Sequence, residues 1–186
     1  MAQYFETIKC YNNSVYNLEY HKKRVARTIG INLNLEEYIY PPNDELIRCK
    51  VIYNEESIKD IQYFPYQPKK FHTFKLIYDD NINYSKKYLD RSSLDKYLSK
   101  DYDDTIFIQN NLITDTSIAN IAILIDNQWY TPKNPLLKGT TRDRYLENKI
   151  LIELDIDLIL LKRATKIALL NCMLDFYEIV DYKIIE

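Results

Sequence analysis

Polar and apolar residues alternate from Tyr4 to Lys9, the period of a half-buried strand. Asn12-Asn13 is a turn signal, and Ser14-Val15-Tyr16 resumes the strand pattern, so the chain opens with a hairpin. From Leu18 the period changes. Val25 and Ile29 lie four apart on one face of a helix that runs from Leu18 to Ile29, and Gly30 stands where a C-terminal cap is needed. Asn34 is placed to cap a short second helix, Leu35 to Ile39, which Pro41-Pro42 ends. Arg48 to Tyr53, Ile58 to Tyr66 and Phe71 to Tyr78 read as strands, with Asn54-Glu55-Glu56 as the first turn between them.

A polar stretch, Asp79 to Tyr84, leads into a second unit. Ser92 and Asp95 form a capping-box-like start for a helix through Leu98. Thr105 to Gln109 and Ala119 to Ile125 read as apolar strands, and Asp126-Asn127 turns the chain into Gln128 to Thr131. A loop with Pro132 and Pro135 reaches Gly139. Thr140 to Lys149 is expected to be helical, Ile150 to Asp155 extended and Leu158 to Arg163 a short helix, with Lys166 to Leu170 as a last buried strand. Asp115 by itself reads as a turn residue after a strand. These elements predict an α+β fold in two parts, residues 1–79 and 80–186, without repeats or low-complexity segments.

Length and composition narrow the picture. A chain of 186 residues makes one large domain or two small ones, enough to enclose a pocket. The net charge is −2 and no basic run is interleaved with aromatics, which argues against nucleic-acid binding. Met1 to Cys10 lacks the charged and apolar regions of a signal peptide. The longest apolar run, around Ile150 to Leu161, is broken by Glu153, Asp155 and Asp157, so no membrane span is expected and a cytoplasmic protein is. Cys10, Cys49 and Cys172 are far apart and lack metal-ligand spacing, which predicts three reduced thiols and no metal site. Two glycines against 18 tyrosines leave no glycine-rich phosphate loop. A phosphate site in this chain has to be built from side chains and a helix N-terminus.

Taken singly, the remaining patterns are bland. His21-Lys22-Lys23-Arg24 reads as a solvated basic helix face, Lys86-Lys87 as a surface pair, and Gly139-Thr140-Thr141-Arg142 as an ordinary helix start. Their order changes the weighting. Phe5-Glu6-Thr7-Ile8, then Leu18 and His21-x-x-Arg24, resembles the opening of class IV aminotransferases. Lys87-Tyr88-Leu89-Asp90-Arg91 resembles the segment around that family's cofactor lysine, in its lyase form. Asn111 to Ile121, with Thr114-Asp115 and Asn120, resembles a third block. Trp129 to Pro132 followed by Leu137 to Arg142 resembles a fourth, and Leu170-Asn171-Cys172-Met173 a fifth, again in lyase form. The five blocks run in order over residues 4–180.

The resemblance implies a D-amino acid aminotransferase-like fold, with a small N-terminal α+β unit, a β-rich, barrel-like C-terminal unit and the site between them. It implies pyridoxal 5′-phosphate as cofactor and a homodimer. Lys87 would form the Schiff base with the cofactor and act as catalytic base, a role that suits a nucleophilic amine. Asp115 would face the pyridine nitrogen and keep the ring protonated. Arg24 would pair with the phosphate, joined by Thr140 and Thr141 at a helix start. Arg91 would lie near the ring's phenolic oxygen, and Asn120 would hold the loop that carries Asp115. The family has Glu where this chain has Asp115, and further strands before its Phe5 segment, so the chain reads as a shortened member. The implied reaction is removal of pyruvate from aminodeoxychorismate to give 4-aminobenzoate for folate synthesis. Transamination of branched-chain or D-amino acids, or cofactor binding without turnover, are the alternatives.

Overall fold

The computed structural model describes residues 2–186. These form two compact units. One comprises the chain up to Pro68 together with Lys86–Arg91, and the other comprises Lys69–Ser85 and Ser92–Glu186. The packing thus divides elsewhere than at residue 79. Thr73–Tyr78 belongs to the sheet of the larger unit, and a six-residue segment flanked by that unit's residues packs with the smaller one.

The smaller unit is a four-stranded antiparallel sheet made of β1 (Tyr4–Tyr11), β2 (Ser14–Val15), β3 (Ile47–Tyr53) and β4 (Ile58–Pro65), in the order β2-β1-β3-β4. Helix α1 (Leu18–Ile29) packs on one face. The alternation of β1 places Tyr4, Ile8 and Cys10 in the core with Val25 of α1 and Cys49, Val51 and Tyr53 of β3. Gly30 closes α1 with φ +78° and donates its N–H to Ala26 O at 2.9 Å. The expected second helix is shorter, a 3₁₀ turn at Leu35–Glu37. Asn34 does not cap it; its amide reaches Glu37 Oε1 instead, at 3.0 Å.

The larger unit is built on a mixed sheet. Its strands are β5 (Thr73–Tyr78), β6 (Asp104–Gln109), β7 (Leu112–Thr116), β8 (Asn120–Ile125), β9 (Gln128–Pro132), β10 (Leu151–Leu154), β11 (Lys166–Asn171), β12 (Asp175–Ile179) and β13 (Lys183–Ile185). The main path runs β10-β9-β8-β7-β6-β5-β13, and β11 pairs with β8 and β12. Helices α2 (Ser92–Asp95), α3 (Thr140–Glu147) and α4 (Leu158–Arg163) lie between strands in sequence. The core is mainly isoleucine and leucine from β6, β7, β8 and β11, with Ile106, Ile121, Ile123, Ile167 and Leu169 fully buried. Each such side chain contributes roughly 1.5–3 kcal/mol. The architecture is α+β and mostly sheet, as expected.

Two readings of the pattern are corrected. Asp115 is not in a turn but inside β7, and Lys166–Asn171 is followed by two more strands, β12 and β13. The first miss comes from turn chemistry. Asn110 and Asn111 have φ +49° and +63° and link β6 to β7 in a two-residue hairpin. Asn12-Asn13 and Asp126-Asn127 do the same at the other hairpins, again with positive φ. In a chain this poor in glycine, Asn and Asp take the left-handed positions. Helix α2 also ends sooner than Leu98, which is reached through single turn bonds.

Gly30 is expected to resist replacement, because an L side chain is strained at its positive φ. Gly30→Ala should cost about 1–2 kcal/mol, and Gly30→Asn less. Urea unfolding checks this: the midpoint should fall with an unchanged slope.

Candidate functional site

In the smaller unit the polar centre is Glu6. Its position on β1, in step with Tyr4 and Ile8, puts a carboxylate on the apolar face with no exposed surface. Two side chains one helical turn apart on α1 meet it. Arg24 Nε donates to Glu6 Oε1 at 2.8 Å, and a second guanidinium nitrogen donates to Oε2. His21 Nδ1 lies 2.6 Å from Oε2. Burial alone would raise the Glu6 pKa. The Arg24 charge and the hydrogen bonds from His21 and Arg24 outweigh it and bring the value down to about 2. Glu6 is therefore ionised and Arg24 is locked in place. His21 is pushed below its ordinary value, first by burial and then by the charges of Arg24 and Lys87, against the pull of Glu6.

Lys87 enters the same unit through strand-like pairing of its segment with the edge of β1. Phe5 N–H donates to Lys87 O at 3.0 Å, Leu89 N–H donates to Gln3 O at 2.9 Å, and Tyr88 bridges Tyr4. The Lys87 ammonium lies 4.6 Å from the centre of the Phe5 ring, and that of Lys86 lies 5.3 Å from the Tyr4 ring. Tyr4 and Phe5 are consecutive on a strand, so the two lysines lie on opposite faces. Arg91 closes this segment and is half-buried.

In the larger unit the centre is Asp115, on β7 and 4% exposed. Its Oδ1 accepts from Asn120 Nδ2 at 2.6 Å and its Oδ2 from Leu137 N–H at 2.8 Å. Asn120 Nδ2 also donates to Leu137 O at 2.7 Å, so one amide ties β7, β8 and the 133–139 loop together. Burial raises the Asp115 pKa to about 7, opposed by these hydrogen bonds and by the Arg142 charge. Asp115 and Glu6 are both buried acids with opposite outcomes, because Glu6 has a direct ion pair and Asp115 only dipoles and a more distant charge. Gly139 is dictated by the Asn120 side chain, since a Cβ there would come within 1.9 Å of Asn120 Oδ1. It brings no side chain to cap α3, whose first residues, Thr140 and Thr141, are both buried.

Thus Arg24, Lys87 and Arg91 fall in one unit, and Asp115, Asn120, Thr140 and Thr141 in the other. Sequence reasoning assigned no role to Glu6, His21 or Arg142. Arg142 is 2% exposed and donates to Pro132 O at 2.8 Å and Glu153 Oε1 at 2.6 Å. The Glu6 signal was present in the chain: an acid at a position where strand alternation demands an apolar residue, followed by His and Arg one turn apart. Asp104 is a further buried acid. Its Oδ1 accepts from Ser117 N–H at 3.2 Å and Thr105 N–H at 2.8 Å, fastening the loop after β7. Among the described residues no group of three or more His, Cys, Asp and Glu could hold a metal ion, and no helix is long and apolar enough to cross a membrane.

Comparison with known proteins matches residues 87–182 to the family Amino-transferase class IV. An uncharacterized protein of Haemophilus influenzae is 36% identical over 160 residues, 79% of this chain and 85% of the relative. A solved structure of a candidate 4-amino-4-deoxychorismate lyase from Haemophilus somnus is 33% identical, covers 93% of this chain and 97% of its own, and superposes with a TM-score of 0.85. The PLP-bound form of a hypothetical aminotransferase from Mycobacterium tuberculosis, 14% identical, shares the fold with a TM-score of 0.79 over 98% of this chain and 81% of its own.

The Asp115 pKa sets a pH dependence of stability. Its folded value is raised from 3.8 to about 7, so the folded protein holds a proton that the unfolded chain has released. This contribution is intact below the unfolded value and is lost as the pH rises from about 4 to about 7. Glu6 acts in the opposite sense, losing its contribution as the pH falls from 4.5 toward about 2. Asp115→Asn removes the first titration. Its stability relative to the native chain should improve as the pH rises from about 4 to about 7, measured by urea midpoints across that range. Parallel pH curves for the two proteins would rule the titration out.

Proposed function

The chain belongs to the amino-transferase class IV family, a family of pyridoxal phosphate enzymes, and from that premise we propose that it is a lyase that removes pyruvate from aminodeoxychorismate to leave 4-aminobenzoate. Support comes first from the segment Lys86–Arg91. It pairs with β1 of the unit that holds Arg24, and of its two adjacent lysines only Lys87 shares a face with Phe5. The lyase form of the Lys87 and Asn171 segments and the 33% identity to a candidate lyase favour elimination over transamination.

The residues present fit the cofactor's chemistry. Arg24 offers a buried cation, already oriented by Glu6, for the phosphate. Thr140 and Thr141 offer backbone N–H groups and hydroxyls at the start of an eight-residue helix. Asp115 offers a buried carboxyl group to pair with a protonated ring nitrogen, whose positive charge would offset the burial that now raises its pKa and favour the ionised form. Asn120 and the Leu137 N–H hold this carboxyl group in one orientation. When bound, pyridoxal phosphate supplies an electron sink for the carbanion at the substrate's amine-bearing carbon.

The protein's own work is proton transfer and positioning. Lys87 takes the proton from the amine-bearing carbon as a neutral amine, and delivers it to the departing three-carbon fragment. The proton lost by the ring carbon is thus the one gained by pyruvate, so no external acid is needed. Asn171 braces the larger unit locally. Its Oδ1 accepts from Met173 and Leu174 N–H at 3.0 and 2.9 Å, and its amide reaches Ile118 O at 3.3 Å, so it locks the β11–β12 turn to the loop after β7.

Purified protein loaded with pyridoxal phosphate should show a visible absorption band, and borohydride reduction followed by peptide mass spectrometry should find the label on Lys87. Lys87→Ala should abolish the band and turnover, while Lys86→Ala leaves both nearly intact. Arg24→Ala should weaken cofactor affinity by about 1.5–3 kcal/mol. Assays with aminodeoxychorismate and with amino acid plus keto acid pairs decide between lyase and transaminase. A label on any other lysine would sink the assignment.

A further inference from the structure

The buried pair on β1 and α1 leaves one polar atom unexplained. His21 is fully buried, its Nδ1 is taken by Glu6, and its Nε2 has no hydrogen-bond partner. Such an atom is costly in a protein interior unless something else meets it. Three charged groups surround the imidazole. Glu6 faces it from β1, Arg24 from its own helix, and the Lys87 charge is felt from the segment paired with β1. Tyr53 of β3 lies near Glu6 and Arg24, and burial holds its hydroxyl in the neutral form. One anion and two cations already leave the surroundings positive, so the ring is neutral, in agreement with the direction in which burial and these charges push it. The tautomer follows from the Glu6 bond: Nδ1 carries the hydrogen and donates to the carboxylate, and Nε2 presents a lone pair.

A lone pair is the wrong partner for a phosphate oxygen. Yet His21 and Arg24 are three residues apart on α1 and share the Glu6 carboxylate, so an anion that docks at the guanidinium enters the field of the imidazole as well. A dianion there reverses the local charge balance. Added negative charge favours the protonated ring, whose second hydrogen sits on Nε2. We infer that docking of a phosphate monoester dianion beside Arg24 is coupled to uptake of one proton at His21 Nε2, which makes Glu6, His21 and Arg24 a proton-coupled phosphate receptor. The inference rests on the proposal that Arg24 receives the cofactor's phosphate. No bond is made or broken apart from this N–H, and the proton comes from solvent. His21 is a positioning and anion-binding residue in this scheme, and Glu6 orients it.

The chain has two histidines, and the other, His72, is exposed, so the imidazole nitrogen spectrum is simple. The experiment follows the His21 ring nitrogens by two-dimensional NMR, with His72→Gln to assign them. The pH is set near 8, about two units above the second ionisation of a phosphate monoester. The free protein should show a neutral ring protonated at Nδ1. Pyridoxal phosphate should convert it to the doubly protonated form, and pyridoxal, which lacks the phosphate, should not. Calorimetry in two buffers of different ionisation enthalpy should find about one more proton taken up with pyridoxal phosphate than with pyridoxal. His21→Gln should lose that extra uptake and about tenfold of the preference for pyridoxal phosphate over pyridoxal. The wild-type spectra decide the matter even if this variant folds poorly. If the visible band shows the cofactor bound while His21 stays neutral, the inference is overturned and the assignment of Arg24 survives. If pyridoxal phosphate does not bind at all, both fall.

Discussion

Everything in the smaller unit is arranged around a carboxylate that has no access to water. An ionised acid at the centre of a strand is a costly choice, because desolvation of a charge amounts to several kcal/mol even after relaxation. Glu6 meets that cost by direct pairing: a two-point contact from Arg24 and a short bond from His21, both carried by one helix. The pairing therefore does more than neutralise a charge. It sets the rotation of α1 about its axis, since His21 and Arg24 must both face β1, and it holds the guanidinium in a single orientation. Apolar packing of Val25 against Ile8 and Cys49 could be satisfied by small rotations of the helix; the ion pair could not. Removing one partner would leave the other buried and uncompensated, which is why the three residues act as a unit.

The larger unit solves the opposite problem. Asp115 is equally buried, yet it has two hydrogen bonds and no adjacent cation, and its pKa rises where that of Glu6 falls. A carboxyl group poised near neutrality exchanges a proton at little cost, and a permanently ionised one does not. The same contrast separates a structural acid from a group suited to chemistry. Asn120 makes that poise possible: it satisfies Asp115 without adding charge and ties down the loop at Leu137. The close approach of Gly139 to Asn120 shows how tightly the arrangement is built. The Asn120–Gly139 contact accounts for one of the chain's two glycines, and the end of α1 for the other.

Much of this was legible in the chain. Helix α1 was bounded by its period and by Gly30, the first hairpin by Asn12-Asn13, and the β8–β9 hairpin by Asp126-Asn127. Strand β7 was missed because Asn110-Asn111 was not read as a hairpin turn, although it is the same device. The strands after Lys166–Asn171 were missed because β12 and β13 are short and only partly buried, with weak alternation. Of the proposed site, Lys87, Arg24 and Asp115 were marked by the order of five short blocks. Glu6 and His21 were inside those blocks without a role, since a buried acid is costly until its partners are known.

What the sequence by itself determined was local: which segments are strands, where α1 begins and ends, and which residue types are available for chemistry. These follow from side-chain period and from the φ preferences of Gly, Asn and Asp, which act over a few residues. Tertiary structure alone decided the protonation of the buried groups. Glu6 and Asp115 are both carboxylic acids in strands, and nothing within a few residues of either foretells that one is held ionised and the other near neutrality. That difference comes from desolvation and from what distant segments bring alongside: the Arg24 charge eighteen residues away from Glu6, and only a backbone N–H, that of Leu137, twenty-two residues away from Asp115. A pKa is set by distances in space, and the fold creates those distances.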